Sequence, residues 1–305
     1  MRLYYQGIDI TGSVDIVRCT HRDVSGGRCD SLEIELENAE DWFRWKPERG
    51  DVLEAAMDSY STGKMYLNTI LPYEGRYRIL ATSMPAAMRQ KKSQLYYDTR
   101  LRDIMAICAA ECGLDYASFG VDTEVRYPCI VRYAEGATAF LSGILKREGA
   151  VLKTWNGRLT AIGIEYAQNL EDAINIEIRA DQPGMHYERR DDIKLGSISV
   201  QTPYANGSGY DTGVPYGPEK VIPDLPADSD VQAARWARSL LLMHNRTGEK
   251  LDIESQFAPG WTAMTRANIS GGTDADGEWL FDEVTHDFMQ EKSTAKLLRC
   301  IRTIR

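Results

Sequence analysis

The chain has 305 residues, more than one typical domain of roughly 100–200, so two or three compact units are expected, each able to bury a core. Its composition, 43% hydrophobic and 27% charged, is that of a globular protein, and a formal net charge of −9 argues against general attraction to nucleic acid or anionic lipid. No apolar run approaches the roughly 20 residues of a membrane span, and the opening MRLYYQGIDI lacks the charged-then-apolar order of a signal peptide, so folding in a cytoplasm without membrane insertion is expected.

From Met1 to about Met84 the sequence is strand-like. Leu32, Ile34 and Leu36 fall on one face of an extended strand, and Glu33, Glu35 and Glu37 on the other, because side chains alternate with a period of two. The glutamate face must meet water, outside or in a lumen, since burying unpaired carboxylates would cost several kcal/mol each. Trp42 and Trp45 precede a turn marked by Pro47 and Gly50, then DVLEAAMD resumes extension and GRYRILATS follows. Short strands divided by turns describe a small barrel or sandwich.

The spacing then changes. Leu101, Ile104, Met105, Cys108 and Cys112 predict an amphipathic helix, with Asp98 or Thr99 as N-cap and Gly113 as the stop. Ala137, Phe140, Leu141, Ile144 and Leu145 predict a second, ended by Gly149. Directly after it, Asn156-Gly157 between two extended runs is a strong signal for a two-residue hairpin. Residues 93–171 therefore read as an α/β insert of two helices and a hairpin, and the strands within 172–202 are expected to complete the first barrel, begun in 1–92. Residues 203–305 should hold a long loop, a helix from about Ser229 to Asn245 and a second barrel. The loop, Pro203 to Asp230, is rich in Gly, Pro, Tyr and Asp and lacks periodicity, which makes it a candidate contact arm or lid, with a disordered surface loop as the alternative. Its Tyr204, Tyr210, Tyr216, Ile222 and Leu225 are the candidate contact residues, tyrosine being enriched at interfaces.

The last segment repeats the pattern of the first: Leu251 and Ile253 alternate with Asp252 and Glu254, Pro259-Gly260 makes a turn, and Gly277-Glu278-Trp279 opens a strand as Gly75-Arg76-Tyr77 did. The fold class expected is mainly β α+β, with two β-barrels, a small α/β insert and an additional helix.

Catalytic chemistry finds little material. There is no G-x-S-x-G elbow, Walker loop or H-E-x-x-H, and among four histidines only His286-Asp287 suggests acid–base work, where a structural histidine at a strand end is the simpler reading. Six cysteines are too sparse for a disulfide scaffold, and neither Cys19/His21/Cys29 nor Cys108/Cys112 has a second ligand pair. No catalytic, cofactor or metal residue is expected.

The order of DSLEIELEN, WKPERGD, GRYRILATSMP, LRDIMAICAAECGL, ATAFLSGILKREGAVLKTWNGRL and DGEWLFDEVTHDF resembles the central baseplate hub proteins of contractile phage tails, the late control gene D family, related to the hub portion of type VI secretion VgrG proteins. The resemblance implies two tube-protein-like barrels per chain and a homotrimer. Such a ring of six similar units would meet the hexameric tail tube on one side and the three-fold central spike on the other, beside other baseplate proteins. It also implies a chain made in a bacterial cytoplasm and built into a phage or tailocin baseplate, with DNA or tape-measure protein passing through a lumen. A cell-wall (peptidoglycan) binding module of the LysM kind is the alternative, although the insert's helix-helix-hairpin order differs from strand-helix-helix-strand. A tail-associated hydrolase is a further one.

Overall fold

The computed structural model describes residues 1–37, 46–179 and 181–305, so Trp42 and Trp45 lie outside the described residues. With 46% of the described residues in strands and 19% in helices, the chain is a mainly β α+β protein. Its backbone is organised by one large sheet that runs through both ends of the sequence. The order across it, by strand, is His186–Arg189, Glu249–Gln256, Lys292–Arg299, Gly277–Asp287, Ile16–Val24, Ser31–Leu36, Arg76–Thr82, Met65–Tyr73, Val52–Met57 and Arg2–Tyr5.

The junction of the two halves is the antiparallel pair Ile16–Val24 with Gly277–Asp287, in which His21 stands opposite His286 and Asp23 opposite Val284. Alternation sets the faces as the sequence predicts. Leu32, Ile34 and Leu36 are fully buried and pack with Leu3, Leu53, Met65 and Ile79 in the core of the first half. Leu251, Ile253, Trp279, Phe281 and Leu297 form a separate core in the second.

The strands within 172–202 do not complete the first half, which corrects that expectation. Ala173–Glu177 pairs in parallel with Arg266–Ser270, and His186–Arg189 pairs with Glu249–Gln256, both in the second half, while Ser197–Gln201 joins a separate three-stranded sheet. Pairing over such separations is set by long-range register, which local alternation does not encode. The repeated pattern is likewise not a repeated register. The strand after Gly75 pairs directly with Ser31–Leu36, whereas Lys292–Arg299 lies between the strand opened by Gly277 and Glu249–Gln256.

The insert holds α1 (Leu101–Ala110), α2 (Ala137–Arg147) and the short α3 (Ile164–Gln168). The apolar stripes expected on the first two are buried, except that Cys112 lies past the end of α1 and is half-buried. Neither Asp98 nor Thr99 caps α1. The N-cap is Arg100, without a side-chain bond, and the carbonyls of Val125 and Thr123 accept from the N–H groups of Leu101 and Arg102. Asn156 and Gly157, both at positive φ, close the two-residue hairpin between Ala150–Trp155 and Arg158–Gly163.

The arm expected to be irregular contains two short strands, with turns and irregular chain around them. Asn206–Tyr210 and Glu219–Ile222 flank Ser197–Gln201 in a three-stranded sheet, covered by α4 (Asp230–Asn245), whose N-cap Ser229 accepts from the N–H of Gln232. Gly207 explains why this strand has no apolar alternation. A Cβ there would stand 2.1 Å from the Ala234 nitrogen, so the strand backbone lies directly on the helix.

Candidate functional site

The first candidate surface is the outward face of the large sheet. Glu33, Glu35 and Glu37 are on it, with side chains 23%, 15% and 60% exposed. They do not form a bare acidic strip. Glu33 pairs with Arg78 at 2.8 Å and Arg18 at 3.4 Å, and Arg76 reaches Glu35 at 3.1 Å and Glu37 at 3.2 Å. The pattern continues across the junction, where Arg22 meets Glu283 at 2.5 Å and Lys296 lies 3.7 Å from the same carboxylate, and ends in Lys292 with Glu254 at 2.6 Å. Cross-strand neighbours of opposite charge on adjoining strands thus produce one continuous charge-paired face. Its field is far weaker than nine acids against three bases in Ser31 to Asp58 would suggest.

The second is the contact arm, which the structure divides. Tyr204, Tyr210 and Tyr216 are 88%, 58% and 100% exposed. Ile222 and Leu225 instead lean on the core shared by α4 and the insert. A third surface escaped the sequence reading. The two-stranded ribbon Lys92–Arg100 with Arg126–Glu135 exposes Leu95, Tyr97, Val131 and Tyr133, with Leu95 opposite Val131 and Tyr97 opposite the exposed Cys129. Its signal was the alternation in SQLYYDT and CIVRYAE, read against a helix that follows directly.

Beneath the sheet, the junction is polar. The Tyr60 hydroxyl lies 2.7 Å from His21 Nδ1, and its ring is 4.2 Å from that of His286. His286 Nε2 donates to the Trp261 carbonyl at 3.0 Å, which makes Nδ1 the acceptor from the Ser293 hydroxyl at 2.9 Å. Burial lowers the pKa of both histidines, that of His21 to about 3, so both are neutral. His286 is thereby tied on both ring nitrogens into the fold, away from Asp287, which faces the other side of its strand.

Beside these rings, Lys153 from the insert hairpin enters between Asp23 and Asp30. Its ammonium bonds the Asp23 carboxylate and lies 3.3 Å from Asp30 Oδ2 and 3.2 Å from the Val24 carbonyl. Asp23 Oδ2 accepts from the N–H of Ala263 at 2.9 Å, so one carboxylate touches the first half, the second half and the insert. A cavity of about 450 Å³, lined by His21, Tyr60, Lys153, Trp155 and Thr262, opens next to this cluster. Among the described residues, no three His, Cys, Asp or Glu side chains are grouped to hold a metal ion, and no helix is long and apolar enough to cross a membrane.

No protein-family model matches the chain, and no curated protein matches it in sequence. Solved structures do match in fold. A 43 kDa tail protein of prophage MuSo2 from Shewanella oneidensis superposes with a TM-score of 0.76 at 11% identity, over 98% of this chain and 97% of that one. A tail protein from Neisseria meningitidis gives 0.78 at 11% identity, covering 98% and 95%. A type VI secretion component of E. coli, described as similar to the T4 tail proteins gp27 and gp5, gives 0.65 at 12% identity over 99% and 78%. The chain therefore has the fold of phage tail proteins and their type VI secretion relatives.

Proposed function

We propose that the chain is a structural hub subunit of a contractile injection particle, three copies of which form a ring of six similar units between a hexameric tail tube and a three-fold spike. The observation that carries this reading is the continuous sheet in which two strand-built halves meet by direct antiparallel pairing, within a fold matched over nearly its whole length by phage tail proteins. Joined halves allow a three-fold object to offer six similar positions.

In this arrangement the charge-paired face lines the passage. Carboxylates neutralised by arginines neither hold DNA phosphates nor repel an acidic tape-measure protein strongly. Tyr210, at the end of a strand fixed on α4, and Tyr204 and Tyr216, in the segments that connect the strands, supply contacts to a neighbouring hub subunit or another baseplate protein. The protein works by shape and contact, without a catalytic step.

Light scattering of the purified chain, alone and with its tube and spike partners, tests the reading. Three copies per complex are expected; a stable dimer contradicts it. Replacing the three tyrosines by serine should leave the fold intact and block assembly, and particles at parental yield would refute the contact role. Saturable retention on purified peptidoglycan would favour a wall-binding module instead.

A further inference from the structure

The Asp23–Lys153–Asp30 cluster has an odd count of charge. Asp23 and Asp30 are only 4% and 2% exposed, the Lys153 side chain is 12% exposed, and no second cation pairs with either carboxylate among the described residues. Two carboxylates and one ammonium leave one net negative charge on groups that are almost wholly buried, which is costly unless a proton removes it.

The surroundings decide which carboxylate takes that proton. Asp23 receives the direct bond from Lys153 and the Ala263 N–H, both of which favour its charged form. Asp30 has the longer contacts to Lys153 and one N–H, from Val24 at 3.0 Å. The other titratable groups nearby do not compensate. His21 and His286 are neutral, burial holds Tyr60 protonated, and the partly buried Cys29 thiol is pushed upward by burial.

We propose that this cluster is a proton-binding site: Asp30 takes one proton from mildly acidic solvent, and the insert is clamped to the sheet more tightly when it does. The proton adds to the Asp30 carboxylate, no bond is broken, and Lys153 and Asp23 remain as a balanced pair. The clamp is mechanical as well as electrostatic. The turn at Ser25–Gly27 lies against the same hairpin so closely that a Cβ on Gly26 would stand 2.8 Å from that of Val151.

The direction follows from linkage. Burial, and secondarily the Asp23 charge, raise Asp30 to about 6 against Lys153's opposing pull, so the docked state binds the proton more tightly than the opened one. Its contribution is complete below the ordinary carboxylate range and is lost as pH rises through about 6. Asp23 is shifted the other way: burial opposes ionisation, but the Lys153 charge, with the hydrogen bonds from Lys153 and the Ala263 N–H, outweighs it, and its contribution disappears as pH falls through its own lowered value. Docking is therefore tightest in mild acid.

Hydrogen exchange of the hairpin amides at 150–163, corrected for intrinsic rates, tests this on the full chain. Protection should rise roughly ten-fold from pH 7.5 to 5, the factor for one group near 6 when docked and about 3.9 when open. Asp30→Asn, which carries the neutral form permanently, should show the higher protection at both pH values and lose the dependence. A variant that keeps the full dependence overturns the proposal. Should the variant not fold, carboxyl NMR of the unmodified protein decides: an Asp30 resonance that titrates near pH 6 supports the site, and one that titrates below about 4.5 refutes it.

Discussion

The two sides of the large sheet use the same chemistry under opposite conditions. On its outer face, Arg76, Arg78 and Arg22 pair with Glu35, Glu33 and Glu283 where water still reaches the guanidinium groups, 39–44% exposed. Beneath the junction, Lys153 meets Asp23 and Asp30 with almost no access to water. An exposed pair exchanges one hydrated state for another and is worth about 0–1 kcal/mol. A buried pair is not necessarily worth more, but removing one partner leaves an uncompensated charge at about 3–5 kcal/mol. The outer pairs thus set the electrical character of the face, and the inner cluster sets how the insert sits on the sheet.

Lys153→Met is the severest way to break this comparison, because it strands two buried carboxylates. A loss of about 3–5 kcal/mol in denaturant unfolding is expected, with much of it recovered when Asp23→Asn and Asp30→Asn are added. A loss under about 1 kcal/mol would mean that water reaches the cluster. Gly157→Val acts one step away, through the turn that carries Lys153. Positive φ at that position should cost about 1 kcal/mol or more, seen as a lowered thermal midpoint, and unchanged stability would contradict the hairpin geometry. The smallest effect belongs to the outer face. Arg78→Gln should cost less than about 1 kcal/mol, and the difference from the parent should shrink in high salt. A loss as large as that of Lys153→Met would erase the distinction between the two sides.

The same contrast explains what could be read from the residues alone. Leu32, Ile34 and Leu36 against three glutamates, the stripes of α1 and α2, and Asn156-Gly157 are local patterns, and local geometry follows from them. The arginines that neutralise the glutamates come from other strands, so the acidic strip looked bare. Asn206–Tyr210 looked like a loop because glycine replaces apolar side chains where strand and helix backbones touch. Lys153 lies more than 120 positions from both of its partners, and its one local signal was a lysine among the buried residues Ala150, Val151, Leu152 and Thr154. Such a lysine calls for a counter-charge without saying where it is.

The central claim is that two joined halves let three chains supply six similar positions. A reconstruction of the assembled particle by electron microscopy tests it most directly. Three copies are expected at the end of the tail tube, with the Ile16–Val24 and Gly277–Asp287 junction in the ring wall and the charge-paired face of Glu33, Glu35 and Arg78 turned to the axis. Six copies per ring, or a junction turned to the outer surface, would contradict the account.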